Sequence, residues 1–496
     1  MTEVATPPPQ PKKPVKKWLV GVLVLLVLIG LIPLVLLIAW PVYGIVAKRA
    51  YEAHVVELEG KGESLEIADH VPAAVENPDD NFAEEPIIRE IIRTAREAPV
   101  DDLETAAFLE RYDIKNLPGY EWGGRERRVR LVEQAPLNEN FPELTEREAA
   151  EMILEHCSEI EELDALVRAA RRPAANFDLD YEALFFMRLD DVTVLRDLVK
   201  LLILRGRSAM LVGEMDQALD DMETLMQVSE KFLAEPALIF LLVGIDWRER
   251  SADLASEGLQ KRLWTESHLA RIEQFIPNSE NGARFFRSMR MERAIVVNRL
   301  LNLRRMSERK DSDYYEQVKW LGMTPVGYQY DNARMASELI QKYKLERSLL
   351  NLSDPLDKET SLEAQLFHLR RNPFIRARYA LATMILPAYN TIGQRFLRCE
   401  ILMEQAKLAV ALERFRIATG SYPENLEALN TTIPLDPFAE KPMAYRKEGK
   451  SYVLYSIGSN GIDEGGLLKH HRDYGDYVWR LDLPDDFDRD DYSSRD

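Results

Sequence analysis

His470, His471, Asp473 and Asp476 cluster near the C-terminus, and imidazole with carboxylate is a ligand combination suited to transition metals. Adjacent histidines usually point apart, so a polar loop is the plainer reading of the same residues. His156 and Cys157 place a base beside a nucleophile in sequence. Neighbours on a helix diverge by about 100°, so the two cannot form a Cys–His pair with each other. A distant partner for either stays open, and a buried structural cysteine is the commoner use. The acidic pairs Asp190-Asp191 and Asp220-Asp221 lie side by side on predicted helices and are expected to be solvated. No G-x-S-x-G, H-E-x-x-H, P-loop or strand-associated G-x-G-x-x-G occurs, and no C-x-x-C offers a structural zinc site. Gly458-Ser459-Asn460-Gly461 has the wrong spacing for a nucleophile elbow.

The elements that must position such residues begin with one apolar block. No charged residue occurs from Trp18 to Ala47, and Trp18–Trp40 is almost entirely aliphatic. Its 23 residues extend about 34 Å as a helix, enough for a hydrocarbon core of about 30 Å. Trp18 and Trp40 sit where interfacial aromatics belong. Lys12, Lys13, Lys16 and Lys17 precede the block, against Lys48 and Arg49 after it, which orients the N-terminus to the cytoplasm. A cleaved signal peptide would have a shorter core and an A-x-A-like site; Ala39-Trp40-Pro41 is a poor one. The expectation is a retained signal-anchor in a bacterial inner membrane, with the bulk of the chain in the periplasm. The Pro-rich leader reads as flexible or polyproline II, with an SH3-type ligand as the minor alternative.

The 496-residue chain carries 83 acidic and 64 Lys+Arg residues, net −19. Residues 1–17 hold four Lys and one Glu, hence +3, which leaves −22 beyond them. That excess argues against a nucleic-acid surface. Two cysteines, Cys157 and Cys399, allow at most one disulfide.

Residues 41–85 read as a juxtamembrane helix followed by a linker that lifts the remainder off the bilayer. From 86 to 389 apolar residues recur at helical spacing. Thr145-Glu146-Arg147-Glu148 is a capping-box arrangement. Val192–Phe232 reads as two helices broken at Gly213, and Ala209–Leu219 there resembles the turn of a tetratricopeptide hairpin, a family that binds peptides on a concave face. No second copy follows at the required period, so a generic αα-hairpin is the simpler reading. Phe185, Phe186, Met187, Phe285, Phe286 and Met289 are expected in the core. Arg125–Arg128 and Arg304-Arg305 are expected on solvated helix faces.

A long helix, Gln394–Thr419, is predicted to end at Gly420 and Pro423. A short helix, Glu424–Leu429, leads to predicted strands at Met443–Arg446, Ser451–Ile457 and Tyr477–Leu481. Along this stretch run Ala411-Leu412-Glu413-Arg414-Phe415-Arg416, Gly420-Ser421-Tyr422-Pro423, Leu426-Glu427-Ala428-Leu429, Leu435-Asp436-Pro437-Phe438 and Tyr455-Ser456-Ile457-Gly458-Ser459-Asn460-Gly461. In order and spacing this resembles the globular part of the major pseudopilin of type II secretion, over residues 390–482. The whole layout also resembles uncharacterised bacterial single-pass envelope proteins, which names no activity. The pseudopilin resemblance implies calcium on the loop after the Ser-x-Gly strand, Ser451–Ile457, bound through backbone carbonyls and acidic side chains. Asn460 stands where that family usually has Asp, Asp473 and Asp476 stand near its second acidic contribution, and Asp463 and Glu464 are nearby candidates. Calcium takes six to eight oxygens, so losing one carboxylate weakens the implied site; a loop held by glycines and hydrogen bonds is the alternative. The family's processing site, Gly followed by Phe-Thr-Leu-x-Glu, is absent ahead of Trp18 and of Tyr379–Tyr389.

The expected fold is therefore mainly α: a cytoplasmic basic tail (1–17), a transmembrane helix (18–40), a juxtamembrane helix and linker (41–85), an α-helical αα-hairpin domain (86–389), an α+β module with a long helix on a three-stranded antiparallel sheet (390–482), and an acidic tail (483–496). The expected function is a non-enzymatic membrane-anchored scaffold or assembly factor with protein partners in the envelope, linked to type II secretion or pilus-like machinery. The alternatives are an envelope hydrolase with a site in the helical domain, or a calcium-binding sensor module.

Overall fold

The computed structural model describes residues 17–97, 117–118, 137–138, 141–181, 190–278, 282–307, 320, 323–341, 369, 371–385, 387–439, 441–458, 461–467 and 475–482. At 17–38, 95–97, 190–194, 306–307, 385 and 387–391 the description covers the backbone alone.

Helix α1 runs unbroken over Lys17–Gly60. Among the fully described residues no helix is long and apolar enough to cross a membrane. The Trp18–Ile38 part of the expected span lies outside that set. Beyond Trp40 the helix is knitted to α11 (Val326–Gln341). Tyr43 Oη donates to Asp331 Oδ2 at 2.9 Å, and His54 Nε2 meets Ser337 Oγ at 2.9 Å. The Tyr51 and Tyr330 rings lie 5.5 Å apart. Gly44 and Gly327 let the backbones approach so closely that a Cβ on Gly327 would sit 2.8 Å from Gly44 Cα. Gly44–Gly327 and His54–Ser337 share one sequence offset, 283, so the two helices run parallel and in step.

The stretch after α1, expected to act as a spacer, instead lies against the body. Glu63 is buried, taking Arg290 Nε at 3.2 Å and Arg293 Nη2 at 2.5 Å from α9 (Ala283–Leu301). Phe82 N donates to Ala174 O at 2.9 Å, and its buried ring packs 5.8 Å from Phe177.

The helical body comprises α2 (Pro86–Glu97), α3 (Glu146–Cys157), α4 (Glu161–Ala170), α5 (Asp190–Val212), α6 (Met215–Ala234), α7 (Leu238–Gln260), α8 (Glu266–Phe275), α9, the short α10 (Leu303–Ser307), α11, α12 (Pro373–Arg378) and α13 (Ala380–Ile385). The capping box forms at α3: Thr145 Oγ1 accepts from Glu148 N, and Glu148 Oε2 accepts from Thr145 N at 2.7 Å. Helices α5 and α6 meet at Gly213, and α7 packs back on both. Phe177, Phe232, Phe240 and Trp247 form the aromatic centre, with ring separations of 4.3–5.1 Å. Phe285 and Met289 are buried, as their helical spacing predicts, and Arg304 and Arg305 are exposed. Phe185–Met187 and Arg125–Arg128 lie outside the described residues.

Helix α14 (Pro387–Thr419) closes the body. It stops where Gly420 turns to φ +88°, a conformation glycine reaches without steric cost, while Gly420 N still donates to Arg416 O. It packs on α7 and α8 and on the C-terminal sheet. That sheet is β3 (Ala444–Glu448), β4 (Ser451–Ser456) and β5 (Tyr477–Arg480), antiparallel in that order, with Tyr445 opposite Leu454 and Leu454 opposite Trp479. A two-residue ribbon, β1 (Leu435–Asp436) with β2 (Lys441–Pro442), precedes it. The fold is thus mainly helical with a small three-stranded antiparallel sheet at the C-terminal end.

Candidate functional site

The loop between β4 and β5 begins at Gly458. Its φ is +67°, and a Cβ there would meet Gly475 O at 2.0 Å, so only glycine allows the two ends of the loop to close. Inside it the carboxylates face the loop's own amides. Asp476 accepts from Gly466 N at 2.7 Å and from Glu464 N at 3.3 Å, while Asp476 N donates to Glu464 Oε2 at 3.1 Å. Asp463 Oδ1 accepts from Gly465 N at 2.8 Å and from Tyr455 Oη at 3.1 Å. Burial pushes the Asp476 carboxyl up to about 6, with the nearby Glu464 carboxylate adding to it against the two amides. Burial, then the charge of Asp463, raises the Tyr455 phenol.

Of the four expected calcium ligands, the structure brings Asp463 and Asp476 into this one hydrogen-bonded loop, with Glu464 between them. Asn460 and Asp473, like His470 and His471, lie outside the described residues. Among the described residues no three His, Cys, Asp or Glu side chains converge as a metal set. The donor chemistry is hard oxygen, which suits calcium, and an ionised carboxylate keeps further lone pairs after accepting one or two amides.

The loop is fixed from beneath by a residue that sequence reasoning treated only as part of a motif. Asp436 is 1% exposed. It accepts from Phe438 N at 2.9 Å, Ser456 Oγ at 2.8 Å and Ile457 N at 2.9 Å. It therefore ties the β1 turn to the end of β4, where the loop departs.

The other chemical candidates are resolved differently. Cys157 is buried and its thiol is pushed up to about 12 by that burial, the reverse of an activated nucleophile. Cys157 and Cys399 are both buried and form no disulfide with each other, so the one bridge the composition allows is not made. Asp221 is not solvated. It is 1% exposed and takes Arg205 Nη2 at 2.6 Å, because it faces α5 while its neighbour Asp220 faces Arg271 on α8. Burial raises the Asp221 carboxyl to about 6 against the pull of Arg205. The side chains of Asp190 and Asp191 lie outside the description.

Sequence reasoning missed a set of buried charges inside the helical body. Arg207 meets Glu257 at 3.1 Å. Arg248, 3% exposed, bridges Glu230 on α6 and Glu400 on α14, the latter at 3.2 Å. Glu235 accepts from Phe177 N at 3.1 Å and Tyr181 Oη at 2.5 Å, and burial raises its carboxyl. Asp331 gathers Tyr43, Arg334 and Arg378, and burial followed by Asp331 pushes the Tyr43 phenol up to about 12. The two arginines interrupt apolar helix faces: Arg248 falls between Trp247 and Ala252, Arg207 between Leu204 and Met210. That interruption is the signal available in the sequence. Such groups join helices and specify which surfaces meet, since a buried charge is costly except against its partner. Between α6, α7, α8 and α14, Met222, Met226, Phe275 and Met403 border a narrow apolar interstice.

Comparison with family models, with curated proteins and with solved structures finds no significant match to this chain.

Proposed function

We propose that this chain is a membrane-anchored envelope scaffold or assembly factor, held by the Trp18–Trp40 block and working beside a type II secretion or pilus-like machine. The carrying observation is the continuity of α1, which unites the apolar block with the Tyr43–His54 face locked to α11. Whatever holds the block therefore holds the helical body in a fixed relation to it. A place beside such a machine fits better than incorporation as an ordinary filament subunit. The helix that matches the pseudopilin motifs, α14, is occupied by α7 and α8 as well as by its own sheet. Photocrosslinking in intact membranes tests this: components of a secretion or pilus-like machine are expected among the captured partners. Repeated recovery of the chain alone overturns the reading.

A second reading, calcium binding by the β4–β5 loop, is favoured by one observation: Glu464 and Asp476 are neighbouring carboxylates, and the Asp476 carboxyl is raised. A divalent cation would relieve that like-charge contact. Asp463 and Asp476 would supply part of the oxygen set, with Asn460 and Asp473 needed for the rest. Thermal melting of the full chain is expected to show a higher midpoint in calcium than in chelator, and Asp476→Asn is expected to abolish the difference. Identical wild-type curves remove calcium from the account.

A further inference from the structure

The end of the body from which the apolar block departs carries its own apolar and basic collar. Because α1 and α11 run parallel and in step, the start of α11 at Val326 lies level with Tyr43, just past the end of the block at Trp40. Met323 precedes it by three residues. Val326 is 62% exposed and Met323 76%. Helix α12 arrives at the same level: Tyr328 Oη donates to Ala377 O at 2.6 Å, and the Arg378 guanidinium lies over the Tyr43 ring. The chain then packs against α11, where Asn332 Nδ2 donates to Arg378 O and Ala382 N donates to Asn332 Oδ1. Residues just before Ala377 stay close to this level, since α12 is only six residues long. Phe374, three residues earlier, is 85% exposed and the most exposed large apolar side chain described.

Charge points to the same covering. In a chain of net −19, Leu369–Arg378 holds four Arg and no acidic residue. Arg371 and Arg376 are exposed, as are Lys48 and Arg49 on α1. Exposed aromatic and aliphatic side chains set among arginines, on the end of a body whose anchor leaves there, match the apolar–polar boundary of a bilayer with anionic headgroups. We infer that Met323, Val326 and Phe374, with Arg371 and Arg376, form a collar that seats the body on the anionic lipid surface around its own anchor. This rests on the reading of Trp18–Trp40 as a membrane anchor. The collar adds a second, lateral contact that fixes the body's tilt, which a single helix would leave free.

The test is site-directed nitroxide labelling of the full chain in vesicles of phosphatidylcholine with one quarter phosphatidylglycerol. The buried Cys157 and Cys399 stay in place. Labels are introduced singly through Leu25→Cys, Met323→Cys, Phe374→Cys and, as a water-exposed control, Ser158→Cys. The expected result is that the 323 and 374 labels relax more with oxygen, and several-fold less with a water-soluble nickel chelate, than the 158 label. Arg371→Ala with Arg376→Ala is expected to shift the 374 label toward the control values. A 25 label buried in the bilayer, with 323 and 374 labels matching the 158 control, overturns the collar and leaves the anchor standing. A 25 label freely accessible to the chelate overturns the anchor and the collar together.

Discussion

Replacing Arg248 by methionine tests whether the C-terminal module and the helical body are one cooperative unit. Arg248 stands on α7 and reaches Glu230 on α6 and Glu400 on α14. Glu230 keeps a second partner, Arg284 Nη2 at 2.7 Å, so the loss concentrates on the buried contact between α7 and α14 at Glu400, which is 9% exposed. Breaking a buried pair by removing one member costs about 3–5 kcal/mol. The surviving Arg284 contact puts the expected cost at the lower end, about 3 kcal/mol. Urea unfolding of the full chain in detergent, followed by tryptophan fluorescence and far-ultraviolet circular dichroism, gives the midpoint and slope. Arg248→Met is expected to lower the midpoint in both signals together. Arg248→Met with Glu400→Met, which removes both charges, is expected to recover about 1–2 kcal/mol, because apolar groups replace a buried pair well. A single-variant cost near that of an exposed pair, below about 1 kcal/mol, refutes the reasoning. So does a double variant that is simply additive.

Gly327→Ala is expected to force α1 and α11 apart, because the new Cβ falls 2.8 Å from backbone at Gly44. Overpacking of this kind costs about 1–3 kcal/mol, and Gly60→Ala, with nothing within 4 Å, serves as the neutral control; increased mobility of a label at Val46 in the first variant alone is the readout. Asp476 gives a pH dependence. Its folded-state carboxyl lies near 6 against an ordinary 3.8, so the folded state holds the proton more tightly. The contribution is fully present below about 4 and is lost as pH rises through about 6. In chelator, the midpoint at pH 5 relative to pH 7.5 is expected to fall in Asp476→Asn compared with wild type, and an unchanged pH profile rejects the assignment.

The helical body was legible where local chemistry decides it. The Thr145–Glu148 box, the break at Gly213, the stop at Gly420 and the strands around Lys447–Lys450 all depend on a few neighbouring residues. Partner choice was not legible. Asp220 and Asp221 look alike in sequence, yet one faces Arg271 and the other is sealed against Arg205. Residues 61–85, with eight acidic residues and two prolines, have the composition of a spacer, but Glu63 meets two arginines 227 and 230 positions away. Half of the expected calcium set could be placed, and the hydrogen bonds that occupy Asp463 and Asp476 come from loop amides and the Tyr455 hydroxyl, whose directions only the folded chain sets. Asp436 was visible as a motif letter. Its work as a three-donor acceptor depends on β1 lying beside the end of β4.

The α1–α11 pairing also bears on synthesis. The face of α1 that meets α11 finds its partner 283 residues later. At about 5–20 residues per second of translation, Tyr43, Gly44, Tyr51 and His54 wait roughly 14–57 s before Gly327–Ser337 has been made. The helices in between can close on one another in that interval, since α5, α6 and α7 pair with sequence neighbours. Helix α1 is therefore made long before its partner and is among the last elements to be buried, and a chaperone has that interval in which to hold it.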